Sequence, residues 1–153
     1  VVHMHEFEMK KSNYKLFIHK WEIAVILEAG YRKLHENEDC SEYIRVCENL
    51  YFSIAFVPNS NSVKLSDEEI NDFCKGLHLV SDQIMDKVNH KSSLIQLQSI
   101  LFSDCNIQQE ALMVSAIKWA SEAFAFPMPI INVTFDDTIK PCGKYIFDFS
   151  NLI

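Results

Sequence analysis

Residues 107–126, IQQEALMVSAIKWASEAFAF, constrain the chain more than any other stretch. Gln108, Ser115, Lys118 and Glu122 recur three, four or seven positions apart and leave apolar side chains over the rest of the circumference. That is the pattern of a helix clad by neighbours on several sides. Ala111, Ala116, Ala120 and Ala123 permit close approach by other elements, while Leu112, Ile117, Trp119 and Phe124 supply the volume that fills the gaps between them. The remaining chain is expected to wrap around this helix.

Before it, three-and-four spacing predicts four further helices. Ser12 or Asn13 can cap a helix running to about His35, with Leu16, Phe17, Trp21, Ala24, Val25, Leu27, Tyr31 and Leu34 on a wide apolar face. Asp39 with Glu42 three positions on has the form of a capping box, opening a helix through Val46, Cys47, Leu50, Ile54 and Val57. Residues 58–62, PNSNS, read as the clearest loop. Ser66 with Glu69 is a stronger box, and Asp67 and Glu68 add carboxylates where the helix dipole favours them. It opens an amphipathic helix to about Asn89. Ser92 or Ser93 starts a shorter one through Leu94, Leu97, Ile100 and Leu101, and Asn106 with Gln109 caps the central helix. The expected fold is mostly α, a bundle of about five helices around the central helix at 107–126.

Pro127 and Pro129 then force an extended path. Beyond them the period changes to two: Ile131, Val133 and Phe135 alternate with Asn132 and Thr134. After a turn through Asp136, Asp137, Pro141 and Gly143 the alternation returns in Tyr145, Phe147 and Phe149. This predicts a β-hairpin over 130–149. A lone hairpin is marginal in water, so its apolar face is expected on the helices, with an unpaired edge left for another chain, including a second copy. Residues 51–57, from Tyr51 to Val57, suit a strand as well as a helix end.

A chain of 153 residues, 48% hydrophobic and with only 4 Pro and 3 Gly, suits one domain over 9–153. Residues 1–8 look like a cloning remnant ahead of a Met9-Lys-Lys start of bacterial character. The longest apolar runs, 23–27 and 123–131, fall short of the ~20 residues that span a bilayer. Five cysteines, an odd number without close pairs, point to reduced thiols and a cytoplasmic setting.

Motifs that carry chemistry are missing. None of His19, His35, His78 or His90 follows a Glu by three residues, and no closely spaced thiolate or histidine pairs suggest zinc outside His3 and His5 of the presumed remnant. Cys40 would sit at a helix start, but Glu38, Asp39 and Glu42 oppose a thiolate there. With 3 Gly there is no glycine-rich phosphate loop and no nucleophile elbow. The acids at 67–72 suit helix capping better than a cation loop. No cofactor or catalytic residue is assigned.

Charge says more about partners. A net charge of −7 and Arg32 and Arg45 as the only arginines argue against nucleic acid. Glu38, Asp39 and Glu42, with Asp67, Glu68 and Asp72, form two acidic faces that would steer a basic protein. The expected function is a small cytoplasmic protein-binding domain, an inhibitor such as an immunity protein or antitoxin that covers a basic toxin or enzyme. Two alternatives are a helical small-molecule binder or enzyme with a pocket between helices, and a structural subunit or secretion chaperone.

Overall fold

The computed structural model of the protein describes residues 6–56, 62–103 and 107–152. A five-stranded sheet forms from β1 (Glu8–Leu16), β2 (Ile23–Lys33), β3 (Ile44–Cys47), β4 (Leu50–Ile54) and β5 (Ser93–Phe102), in the spatial order β1-β2-β5-β4-β3. All neighbours are antiparallel except β4 and β5. Their parallel pairing needs a crossover, which α1 (Asp67–Leu79) and α2 (Ser81–Lys87) provide. After β5 the chain enters α3 (Gln109–Ala123) and ends in the hairpin β6 (Asn132–Asp136) and β7 (Lys144–Asp148).

The fold is therefore not a mostly α bundle: 28% of it is helical and 35% strand. Three of the expected helices are sheet. Residues 13–35 form the β1–β2 hairpin, 39–57 contain β3 and β4, and 92–101 belong to β5. The reason lies in strands that carry apolar residues on both faces, exposed Ile26 and Leu101 included, so that continuous apolar runs imitate a helical stripe. In β2 the inward set is Ile23, Val25, Leu27 and Ala29, all buried at period two. Gly30 sits where a Cβ would lie 2.5 Å from Met9 Sδ and 2.9 Å from Phe7 Cβ, so the next strand passes close over it. In β5 a bulge opposite Glu28 and Ala29 restores Ile100 and Phe102 to the same side as Ile95 and Leu97, which disguises the alternation.

Besides the hairpin after Pro129, which is β6 and β7, two expected elements do form. The central helix is α3, and nine of its residues are buried, including Trp119 and Ile117. The Ser66 capping box is complete, with Glu69 N–H donating to Ser66 Oγ at 3.2 Å and Ser66 N–H to Glu69 Oε1 at 2.8 Å. The helix it opens breaks at Val80, making α1 and α2 in place of one helix to Asn89. The Asp39 box opens no helix: Asp39 Oδ1 instead accepts from Ser41 N–H at 2.9 Å, an Asx turn. Residues 58–61, Val57 and the Asn106 cap lie outside the described residues; α3 starts behind Gln108.

The helices lie on one face of the sheet. α3 packs over β1 and β2, where Phe124 meets Tyr31 with ring centroids 4.3 Å apart. α1 lies beside α3 and over β4, where Phe73 meets Phe52 at 5.4 Å. α1 and α3 cross at Gly76, whose added Cβ would stand 2.3 Å from Met113 O. The opposite face is partly open, with Ile26 and Leu101 paired in register and both exposed. Residues 6–8 are integral to the structure, since Phe7 is buried under the Arg32 guanidinium and Glu8 begins β1.

Candidate functional site

The two edges of the main sheet are treated differently. On β1, Trp119 Nε1–H donates to Lys10 O at 3.0 Å and Lys118 Nζ to Asn13 O, while Ser12 Oγ–H donates to Glu122. α3 thus covers part of that edge. The small hairpin is capped at one position of β7. In an antiparallel pair a residue turns its N–H and C=O together toward or away from its partner strand. Tyr145 presents both to the Gln108 carboxamide, each at 2.9 Å, so one side chain fills the place of a third strand. The Tyr145 hydroxyl donates to Trp21 O at 2.6 Å and accepts from Ile18 N–H at 3.0 Å, fixing the hairpin to the β1–β2 turn.

The β3 edge stays open. β3 has four residues and a bulge at Val46, whose carbonyl accepts from His78 Nδ1 at 3.1 Å. Shortness and a bulge restrict ladder pairing along such an edge. Between β3 and α1 runs a trough of three recesses of about 420, 260 and 350 Å³, and Ile44, 42% exposed, borders all of them. At one end stand Arg45, Lys75 and His78, with Met113 and Phe149 behind them. At the other stand Glu42 and Asp67. The floor is apolar, from Val46 and Cys74 to Ile70 and Phe52.

The six acids expected to meet a partner separate into different roles. Glu42 and Asp67 are exposed and come together in the trough. Glu38 is spent internally: its carboxylate takes a bidentate pair from Arg32 at 2.7 and 2.8 Å and a hydrogen bond from the Tyr43 hydroxyl at 2.8 Å. The Arg32 hydrogen bond holds Glu38 down to a pKa of about 2, against the opposing effect of burial. Asp72 is buried, its Oδ2 lacks a partner among the described residues, and burial raises its pKa even with Lys75 3.9 Å away. Asp39 caps its own turn, and Glu68 lies with Glu69 at a separate hollow near α3. The six acids therefore stand in different surroundings. The sequence reading gave Ile44, Arg45, Lys75 and His78 no site role; the rarity of arginine was the one available signal, and it did not say which neighbours Arg45 has.

Among the described residues, Cys40, Cys47 and Cys74 are held away from the thiolate. Burial pushes Cys74 up to about 12, and burial followed by Glu38 and Asp39 raises Cys40. Among the described residues no group of three His, Cys, Asp or Glu side chains could hold a metal, and no helix is long and apolar enough to cross a membrane. Compared with models of known protein families, with characterised proteins and with solved structures, the chain matches none. Nothing in the fold, the site or these comparisons supports the specific roles of inhibitor, immunity protein or antitoxin. The coarser expectation of a protein-binding domain is carried forward.

Proposed function

We propose that the chain is a protein-binding domain and that the trough between β3 and α1 receives an extended segment of its partner. One observation carries the reading: three neighbouring recesses share Ile44, the first two also share Asn71 and Cys74, and the last two share Ile70. A compact small molecule needs one recess, whereas an extended peptide uses a row of them for successive side chains. Because His78 already occupies the Val46 carbonyl, side chains rather than a full backbone ladder would hold the segment. The covered part of β1 and the capped position of β7 leave the hairpin a poorer surface for a second copy. A reducing cytoplasmic setting suits free Cys40, Cys47, Cys74 and Cys142.

The test is site-specific photo-crosslinking in the native host, with benzoylphenylalanine at Ile44 or, on the open face of the sheet, at Leu101. The expected outcome is a discrete adduct from position 44 and none from 101. Adducts from 101 alone, or from neither position, overturn the reading.

A further inference from the structure

We infer that the segment received by this trough is dipolar, with an apolar residue over Ile44, a carboxylate toward Arg45, Lys75 and His78, and a cationic side chain toward Glu42 and Asp67. The inference rests on the docking role proposed above and adds the chemistry of the occupant. Charge sorting carries it. The chain has 21 acids against 14 bases, yet the recess lined by Arg45, Lys75 and His78 has no carboxylate in its wall. The two recesses beyond Ile44 hold Asp67 and Glu42 and no base.

These charges are free to act on a partner. Arg45, Glu42 and Asp67 make no side-chain hydrogen bond or ion pair with another described residue, and Lys75 has only its 3.9 Å contact with Asp72. A uniformly acidic segment would be repelled by the −7 net charge at long range, and a uniformly basic one would meet like charge at Arg45 and Lys75. A dipolar segment avoids both costs. The four residues of β3 span roughly 13 Å at ~3.3 Å each, which places the partner's opposite charges about four residues apart.

Titrations of isotopically labelled protein by nuclear magnetic resonance test this with a panel of short blocked peptides that share an alternating Thr-Val core. The peptides carry Glu at one end and Lys at the other in either order, Glu at both ends, or Lys at both ends. The dipolar peptides are expected to shift the amides of residues 42–47 and of α1 and to bind about three- to tenfold more tightly than the uniform ones. In the Arg45→Glu/Lys75→Glu double variant the preference should pass to the all-Lys peptide. Should that variant lose its dispersed spectrum, Glu42→Lys/Asp67→Lys should pass the preference to the all-Glu peptide. Equal binding by every peptide with shifts in the trough overturns the charge sorting and leaves docking intact. No shifts in β3 or α1 from any peptide overturn both. Octanoate binding confined to the His78 end, or dilution-dependent shifts at Ile44 without peptide, would hand the trough to a small carboxylate or to a second copy and likewise overturn the inference.

Discussion

The two edges of the five-stranded sheet meet the same physical problem and solve it differently. At β1 the helix α3 reaches over the rim: Trp119, wholly buried, and Lys118 satisfy strand carbonyls, and Glu122 accepts from Ser12. At β3 the strand is short and bulged, one carbonyl is held by His78, and the space beside it is left as a trough. An edge covered by a helix contributes to stability and is lost to binding, whereas an edge protected by shortness and charge remains usable. Under the proposed docking role, stability and recognition fall to opposite sides of one sheet.

The sharpest way to break this comparison is at the covered edge. Trp119→Ala removes a wholly buried indole and leaves Lys10 O without its donor, and should cost about 3 to 5 kcal/mol in urea unfolding. A loss below about 1 kcal/mol would mean that α3 does not hold β1 down, because ordinary surface changes fall in that range.

Next comes the Arg32–Glu38 pair, which ties the loop before β3 to β2. Glu38→Gln leaves a nearly buried guanidinium without its bidentate partner and should cost about 3 kcal/mol at neutral pH. Glu38 has its folded pKa lowered from 4.5 to about 2, so its contribution is present above the ordinary value and lost as pH falls between the two. The variant should lack that portion of the acid transition. An unchanged acid limb would remove the pair from the stability account.

A smaller effect of opposite sign is expected at Asp72 on α1. Its carboxylate is buried with one oxygen unpartnered, and its raised pKa makes the folded state favour the proton. Stability from this group is present at low pH and lost as pH rises through the folded pKa. Asp72→Asn should therefore gain about 1 kcal/mol near neutrality and nothing in acid. Destabilisation at neutral pH would show that the charge has a partner that the geometry does not reveal.

The smallest effect belongs to the open edge. Ile44→Ser should change unfolding stability by no more than about 0.5 kcal/mol, since the side chain is 42% exposed, while abolishing the peptide shifts at the trough. If it unfolds the domain, β3 is part of the core and the contrast between the edges collapses.

What could be read from the chain divides along physical lines. Local chemistry was legible where one residue's partners lie within a turn, as at Ser66 and Glu69, or where period and punctuation agree, as in the hairpin after Pro129. It misled where apolar residues on both faces hide the alternation: Ile23 to Tyr31 satisfies a helical and a strand template together, and only Gly30 and the β-branched Ile23, Val25 and Ile26 argued for sheet. Asp39 with Glu42 shows that a capping box without a helix behind it is simply a turn. The trough was illegible because Glu42, Arg45, Asp67 and Lys75 meet through sheet topology rather than through sequence spacing.

The Gln108 side chain has one more consequence. By occupying both outward-facing backbone groups of Tyr145 it closes that position of β7, so under the proposed docking role this strand offers no second attachment point. Gln108→Ala frees that position. A chain with two attachment points at different places can link head to tail without closing, and the variant should show assembly that grows with concentration in light scattering while the parent stays of fixed size.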